Sequence, residues 1–236
     1  KIGSEADSLL GWAIQLERCQ NTIVENNIVQ NLKVTTTSGE IHQLGINSYA
    51  GFGDIIRNNI VHNIKANSGY TSTGILLSGG STGGYGSNNQ VYNNMVYDIQ
   101  STSTAGDSRV AGIQMWYQNN PKIYYNTVYL SGNVNGINPY GSAALYIWGS
   151  CTNVEAKNNI LVNTRSNIPF LACCINVEHA ALLTLHYNDL YYEPNTYNCL
   201  VRVGMTKYNT LASWQVTGKD LNSLTEMPFF SSPDLH

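Results

Sequence analysis

The sequence predicts an all-β fold, a single-stranded parallel β-helix (solenoid) of about six to seven coils with a short C-terminal capping helix. Three observations predict it. An asparagine-containing phrase recurs at spacings of 32, 35, 33, 32 and 30 residues, short runs of alternating apolar and polar residues lie between its copies, and the 236 residues include 30 Asn and 21 Gly. Because Asn and Gly favour turns and disfavour long helices, the chain must turn often.

Two phrases define the repeat. The first, typically Asn-Asn-Ile-Val, occupies residues 26–29, 58–61, 93–96, 126–129, 158–161 and 188–191. The second, often Gly-Ile and two further residues, occupies residues 13–16, 45–48, 74–77, 112–115, 144–147, 174–177 and 200–203. Repeats of two amphipathic helices are excluded, because no segment of these repeats carries a sustained 3.6-residue apolar stripe. Propeller blades usually exceed about 40 residues, so a parallel solenoid with about three short strands per coil remains.

The recurring asparagine predicts a stacked column. In a parallel solenoid, equivalent residues of successive coils lie about 4.8 Å apart, so Asn side chains could pass hydrogen bonds from coil to coil. The column is predicted at positions 26, 58, 93, 126, 158 and 188. The tolerance of Asn for the left-handed turn conformation also predicts a column. Both explanations stay open, and both give the same fold.

The end of the chain has the signals of a cap. Residues 211–216 form the one convincing helical stretch, with Asn209 or Thr210 to cap its start and Gly218 to cap its end. A solenoid needs a cap to protect its last coil from edge-to-edge pairing. We therefore expect the helix to be that cap and Trp214 to belong to the core.

We interpret residues 1–236 as one β-helix domain, with repeats over about 10–205 and a C-terminal cap over about 206–236. The chain starts at Lys1 without an initiator Met or a signal sequence, and it stops in a strand-like segment at 231–236. We therefore expect a piece of a longer protein that is joined to further domains.

The Gly-Ile phrase, followed by the apolar-x-Asn-Asn-x-apolar turn, resembles the right-handed parallel β-helix repeat of the pectate-lyase-like superfamily over about residues 10–205. The tail, with Met-Pro-Phe-Phe at 227–230 and Asp-Leu-His at 234–236, is similar to the terminal coil and cap of secreted bacterial β-helix proteins. The resemblance implies a right-handed solenoid that is secreted or lies at the cell surface. It does not imply one function, because the superfamily includes lyases, hydrolases, epimerases and adhesins.

Loops on one side of the Gly-Ile strands predict a groove. Variable segments at 33–44, 65–73, 100–111, 131–143 and 163–173 precede these strands, and a glycine-rich extension at 79–90 follows one of them. Insertions on one side of a solenoid usually mark its functional face. The sequence therefore predicts a groove whose floor is the sheet formed by the Gly-Ile strands.

Alternation along the strands assigns the floor. If the Ile of each phrase points inward, its next neighbour and the residue two further on point outward. Aromatic side chains beside amides suit a polysaccharide, because rings stack on the apolar faces of sugars and amides bond their hydroxyls. The predicted ligand-binding residues are Asn47, Tyr49, Gln114, Trp116, Tyr146, Trp148, Asn176 and Glu178. Shielding of the sheet by surface aromatics is the alternative.

Signs of catalysis are few. The best catalytic candidates are Tyr49, on the predicted floor, and His42, in a loop that could reach over the floor, as an acid/base pair. Glu17 and Glu178 are predicted five coils apart, on the order of 24 Å, which is too far for the paired carboxylates of glycoside hydrolysis. A polysaccharide lyase or glycoside hydrolase is one alternative to a binding module, and a structural stalk or adhesin segment is another. We expect no cofactor and no metal, since phosphate loops and zinc spacings are missing.

The charge of the chain limits the kinds of partner that we expect, and its cysteines predict one close pair. The formal charge is −3 and only 11% of residues are charged, with no basic run, so we expect neither a nucleic-acid partner nor a membrane span. Cys173 and Cys199 each precede an inward strand residue by two, in consecutive coils. They should stack closely enough for a disulfide or a free thiol pair.

Overall fold

The computed structural model describes residues 11–33, 42–66, 71–80, 84, 86–101, 109–132, 141–165, 171–179 and 182–230. Within them the chain forms 22 β-strands and one α-helix. In chain order these are β1 (Trp12–Glu17), β2 (Ile23–Glu25), β3 (Ile28–Lys33), β4 (Gln43–Tyr49), β5 (Ile55–Arg57), β6 (Ile60–Ala66), β7 (Ser72–Ser78), β8 (Gly86–Ser87), β9 (Gln90–Tyr92), β10 (Met95–Ser101), β11 (Val110–Trp116), β12 (Gln118–Asn119), β13 (Lys122–Tyr124), β14 (Thr127–Leu130), β15 (Ser142–Trp148), β16 (Val154–Lys157), β17 (Ile160–Asn163), β18 (Ala172–Val177), β19 (Leu183–His186), β20 (Asp189–Tyr192), β21 (Cys199–Val203), β22 (Thr206–Tyr208) and α1 (Leu211–Gln215).

The strands form three parallel sheets, and successive coils add one strand to each. The first sheet has the order β1-β4-β7-β11-β15-β18-β21, the second β2-β5-β9-β13-β16-β19, and the third β3-β6-β10-β14-β17-β20. Strand β22 extends the first sheet as an antiparallel partner of β21, and β8 pairs with β12 in a short fourth sheet. The predicted all-β parallel solenoid with one short helix near the C-terminus is confirmed.

Apolar side chains from all three sheets fill the interior. In the first sheet the inward column aligns in register across the coils, and from the second coil onward it is fully buried at Ile46, Ile75, Ile113, Leu145, Ile175 and Val201. It packs in one cluster with the buried column of the third sheet, which is Val29, Val61, Val96, Val128, Leu161 and Leu190. The predicted inward residues are therefore confirmed.

The glycine of the Gly-Ile phrase is required for steric reasons. A Cβ atom at Gly45 would lie 2.5 Å from Val61 Cγ1, and Val96 and Val128 close the same space at the glycines of the next two coils. The glycine and the isoleucine after it thus both face the interior, which interrupts the two-residue alternation as a β-bulge does. Outward side chains consequently come from both halves of each strand, three positions apart.

A buried asparagine ladder runs through the turn between the second and third sheets. It consists of Asn27, Asn59, Asn94, Asn126, Asn159 and Asn188. In each of the first five, Nδ2 donates across 3.0 Å to Oδ1 of the Asn in the following coil. That oxygen also accepts the backbone N–H of the same donor residue. Buried amides are thereby satisfied from coil to coil.

The predicted column was wrong by one residue in four of its six positions. Residues Asn26, Asn58, Asn93 and Asn158 lie beside the ladder and adopt the left-handed conformation, with φ between 54° and 59°. Tyr125 and Tyr187 take that conformation in the other two coils. Both explanations of the Asn column therefore hold, each for a different residue. The first residue of each pair adopts the left-handed turn conformation, and the second residue carries the hydrogen bonds.

The C-terminal segment closes the solenoid as a cap. Thr210 begins α1 with a capping box, since its Oγ1 accepts the backbone N–H of Ser213. Trp214 is 1% exposed and packs in the core, as predicted. Within the described part of the chain, α1 is the sole helix, and no helix there has the length and apolar character to cross a membrane.

Cys173 and Cys199 are direct partners across β18 and β21, which confirms their predicted stacking. Both are fully buried, and both are free thiols. Burial raises the pKa of the Cys173 thiol far above its ordinary value. The hydrogen bond with Cys173 lowers the pKa of the Cys199 thiol, so the two thiols form a coupled pair on the outer face of the first sheet.

Candidate functional site

Two parallel rows of side chains lie on the outer face of the first sheet, and the strand register confirms their predicted alignment. The amide row is Gln15, Asn47, Leu76, Gln114, Tyr146, Asn176 and Arg202. The aromatic row, two residues further along each strand, is Glu17, Tyr49, Ser78, Trp116, Trp148, Glu178 and Gly204. All eight predicted ligand-binding residues belong to these rows.

The amide row is not the exposed floor that the sequence predicted. Gln114, Tyr146 and Asn176 are fully buried, and Asn47 is 5% exposed. In the aromatic row, by contrast, Tyr49, Trp116, Trp148 and Glu178 are half-buried. The accessible part of the site is therefore the aromatic row, with the amide row beneath the surface. The loops predicted to wall the groove lie largely outside the described residues.

A second, smaller hydrophobic cluster explains this burial. It contains Ala111, Ala143, Tyr146, Leu171, Cys173 and Cys199, with Trp148 packed against it. These side chains come from the beginning and from the end of the strands of the first sheet. Because the alternation is interrupted between them, both sets face the same outer surface and bury one another.

Basic and aromatic groups surround the two tryptophans. The rings of Trp116 and Trp148 lie 5.0 Å apart with an interplanar angle of 55°. The guanidinium of Arg109 lies 4.7 Å from the centre of the Trp148 ring, and His42 meets Trp116 edge-on at 6.4 Å. The tilted rings form a faceted surface, and Arg109 fixes one of them by a cation–π contact.

The Tyr49 and His42 acid/base pair stays a prediction. His42 directly precedes β4 and Tyr49 is the last residue of that strand, so their backbones lie at opposite ends of it. The ring contact that the structure shows for His42 is with Trp116. This contact places the His42 ring beside Trp116.

Hydrogen bonds hold the two ends of the amide row. At one end Ser78 Oγ donates to Asn47 Oδ1 (2.9 Å), and Asn47 Nδ2 donates to Gln15 Oε1 (2.7 Å). At the other end the Tyr146 hydroxyl donates to a Glu178 oxygen (2.8 Å) that also accepts from Arg202 (3.1 Å).

Tyr146 is a permanent donor at neutral pH. Burial, and secondarily the neighbouring Glu178 carboxylate, raises its pKa far above the ordinary tyrosine value. The hydroxyl therefore keeps its proton. Glu178 and Arg202 are only partly shielded, with side chains 17% and 16% exposed, so this polar end of the site adjoins the surface.

Several polar atoms between these two ends have no partner. Among the described residues, Gln114 Nε2, Trp116 Nε1 and both amide atoms of Asn176 are buried without a hydrogen bond. Gln114 does accept from Thr73 Oγ1 through its Oε1 (3.0 Å). Each unsatisfied buried group costs about 1–3 kcal/mol. These unsatisfied atoms lie beneath the surface, directly below the aromatic row.

Two residues beside the site were not among the predicted ligand-binding residues. Arg109 covers Trp148 although it precedes β11 rather than lying in an outward row. Gln43, the first residue of β4, is fully buried with both amide atoms unsatisfied. The available signal was a polar residue at the start of a strand of the first sheet or directly before it, a position that alternation from the Ile of the phrase does not reach.

Neither a metal site among the described residues nor a match to a known family assigns a role to these two rows. Across the part of the chain that the structure describes, no three His, Cys, Asp or Glu side chains come together as a metal site. Comparison of the chain with protein-family models and with curated proteins finds no match.

Proposed function

We propose that the protein binds a polysaccharide along the aromatic row of the first sheet. The observation that carries this proposal is the pair of half-buried indoles of Trp116 and Trp148, which lie in adjacent coils with their rings 5.0 Å apart. Sugars combine hydroxyl groups, which both donate and accept, with apolar C–H faces. Their C–H faces match the accessible aromatic rings of this row, and their hydroxyls can bond the polar groups beside it.

The repeat of the site favours a polymer over a single sugar. Tyr49, Trp116 and Trp148 occupy equivalent positions of different coils, and coils rise by about 4.8 Å. This rise is comparable to the length of one sugar unit. A polysaccharide that runs along the solenoid axis would thus meet an aromatic ring at the second, fourth and fifth coils.

The location proposed with this function is outside the cell or at its surface, in a bacterium. Support comes from the resemblance of the repeat to pectate-lyase-like β-helices and from the low content of charged side chains, which leaves neutral polar groups to contact glycans. Cleavage of the bound chain is the alternative. Release of reducing ends or of ultraviolet-absorbing unsaturated ends would reveal it.

The test is affinity electrophoresis and glycan-array binding of a Trp116→Ala/Trp148→Ala variant. We expect the binding affinity to fall by at least about tenfold, since the stacking of a sugar on one aromatic ring contributes roughly 1 kcal/mol or more. Tyr125→Ala is the matched control, because Tyr125 is 59% exposed in a turn away from the first sheet. Unchanged binding by the double variant, with intact far-ultraviolet circular dichroism, would reject the site.

A further inference from the structure

Two cysteines on the outer face of the first sheet are not used by the proposed polysaccharide site. Cys173 in β18 and Cys199 in β21 lie directly opposite each other in neighbouring coils, and both belong to the smaller hydrophobic cluster of this face. Opposite residues of neighbouring strands lie about 4.8 Å apart, and a disulfide joins residues whose Cα atoms are about 4.4–6.8 Å apart. The backbone therefore holds the two free thiols at a separation that a disulfide can span.

We propose that Cys173 and Cys199 are a redox modification site, at which a small peroxide forms a reversible disulfide that cross-links the last two parallel strands of the first sheet. The proposal does not depend on polysaccharide binding. It rests on the pairing of the two thiols, on the cations near Cys199 and on the position of Cys199 at the end of the sheet.

The other three cysteines form no comparable pair, and all five lie within the described residues. Cys151 and Cys174 pack in the main core cluster, on the inner side of the sheets. Cys19 lies in the turn after β1, four coils away from Cys151. The outer face of the first sheet thus carries the one pair of directly opposite thiols.

Cys199 is the thiol that reacts first. Its hydrogen bond with Cys173 lowers its pKa, and the cations Lys207 and Arg202 also lower it, against the effect of burial. Lys207 Nζ donates to the backbone carbonyl of Tyr197 across 2.6 Å, which holds the ammonium group beside the turn that leads into β21. Burial raises the pKa of Cys173, so this thiol keeps its proton. Because the thiolate is the nucleophile in thiol oxidation, Cys199 attacks the peroxide.

The reaction consumes one hydrogen peroxide for each disulfide. The Cys199 thiolate attacks one peroxide oxygen, the O–O bond breaks, and hydroxide leaves and takes up a proton to become water. The sulfur of Cys173 then attacks the sulfenic acid on Cys199, the S–S bond forms, and the S–O bond breaks. The proton of the Cys173 thiol leaves with that hydroxide as a second water. The two thiols together lose two electrons, and the peroxide gains them.

Cys199 is buried, but it lies where the sheet is least covered. Strand β22 pairs with β21 only at Val201, Arg202 and Val203, so no described strand covers the edge of β21 at Cys199. The turn before it, at 194–197, is largely exposed. Hydrogen peroxide is only slightly larger than water, so a local opening of this strand end is enough to admit it.

The test is treatment of the reduced full chain with hydrogen peroxide at about pH 8, where thiolate begins to form, followed by intact mass measurement and thermal unfolding. We expect a mass loss of about 2 Da, since one disulfide removes two hydrogens. The midpoint of thermal unfolding should rise by about 5–10 °C, because the bond restrains the unfolded chain. Dithiothreitol should reverse both changes.

Three cysteine variants, checked for folding by far-ultraviolet circular dichroism, assign the bond. Cys199→Ala should abolish the mass loss and the rise in the midpoint. Cys174→Ala is the matched control, because it removes the neighbouring buried thiol on the core side, and it should keep both changes. In Cys173→Ala the sulfenic acid on Cys199 meets no second thiol, so dimedone should trap it there. A merely structural Cys199 would not be labelled.

Two outcomes would overturn the proposal. A mass loss that persists in Cys199→Ala would place the disulfide elsewhere. A parent chain that keeps its mass, or that gains oxygen without losing hydrogen, would show that the two sulfurs do not join. The Trp116→Ala/Trp148→Ala variant should form the same disulfide, so failure of the polysaccharide proposal leaves this one standing.

Discussion

Asn188 donates a hydrogen bond of 2.9 Å from its side-chain amide to Oδ1 of Asp220, so the buried asparagine ladder ends on a carboxylate of the C-terminal cap. The other oxygen of Asp220 accepts the indole N–H of Trp214 at 2.7 Å. Asp220 is fully buried and adopts a left-handed conformation, with φ of 52°. One residue thus terminates the ladder and anchors the capping helix.

Replacement of Asp220 by Ala should strongly destabilise the protein. The Asn188 amide and the Trp214 indole N–H would both lose their acceptor while buried. At about 1–3 kcal/mol for each unsatisfied group, the free energy of unfolding should fall by about 2–6 kcal/mol. Urea-induced unfolding measures this change. Asp220→Asn is the control, because it tolerates the backbone conformation and keeps one acceptor oxygen; it should lose clearly less. Equal losses in the two variants would contradict the role of the second oxygen.

The register of the ladder shows what the sequence could and could not predict. The Asn-Asn pairs predicted the period and the turn, but either Asn could carry the hydrogen bonds. Coils with a single Asn contain the missing signal, because Asn126 and Asn188 lie two residues before the buried Val128 and Leu190. Alignment on the buried apolar column, rather than on the first Asn, selects the second residue of each pair.

Replacement of Gly112 by Ala should destabilise the solenoid by overpacking. The new Cβ would collide with Val128 Cγ1 and approach the carbonyl oxygen of Ala144 at 2.9 Å. Such collisions typically cost about 1–3 kcal/mol, measurable as a lower midpoint of urea unfolding. Adding Val128→Ala removes the first collision, so the double variant should lose less than the sum of the two single variants. Strict additivity would show that this valine is not the obstacle.

The alternation of apolar and polar residues could not predict that the site residues are buried. The pattern correctly placed Gln114, Tyr146 and Asn176 on the outer face, because strand register depends on a two-residue period. Exposure depends instead on what packs over that face. The outer cluster forms because the interruption of the alternation at the glycine position brings Ala143 and Cys173 to the side of Tyr146, and such contacts have no period in the sequence.

Replacement of Asn176 by Leu should separate stability from binding. Both amide atoms of Asn176 are buried and unpartnered, so an apolar side chain of similar size should raise the free energy of unfolding by about 1–3 kcal/mol. If the amide contacts a polysaccharide, the same variant should bind it more weakly. Asn209→Leu, at an exposed position beside the cap, should change stability by no more than about 0.5 kcal/mol. Higher stability with undiminished binding would remove Asn176 from the site.

Stability should fall as the pH rises past the ordinary pKa of a thiol. Burial raises the pKa of Cys151 to about 11 and that of Cys174 far above the ordinary value. In the unfolded chain these thiols ionise near pH 8.5, whereas in the folded chain they stay protonated. The unfolded state therefore binds fewer protons above that pH, and each thiol lowers the free energy of unfolding by up to about 1.4 kcal/mol per pH unit.

Urea unfolding in reducing buffer at pH 7.5, 8.5 and 9.5 measures this linkage. Below about pH 8 the thiols of both states are protonated, so their contribution should be constant there. Cys151→Ala tests one thiol alone, because its removal should flatten the decline above pH 8.5 by the contribution of a single group. An identical slope in Cys151→Ala and in the parent chain would mean that this thiol also ionises in the folded protein, and that the turn of the fifth coil opens to solvent.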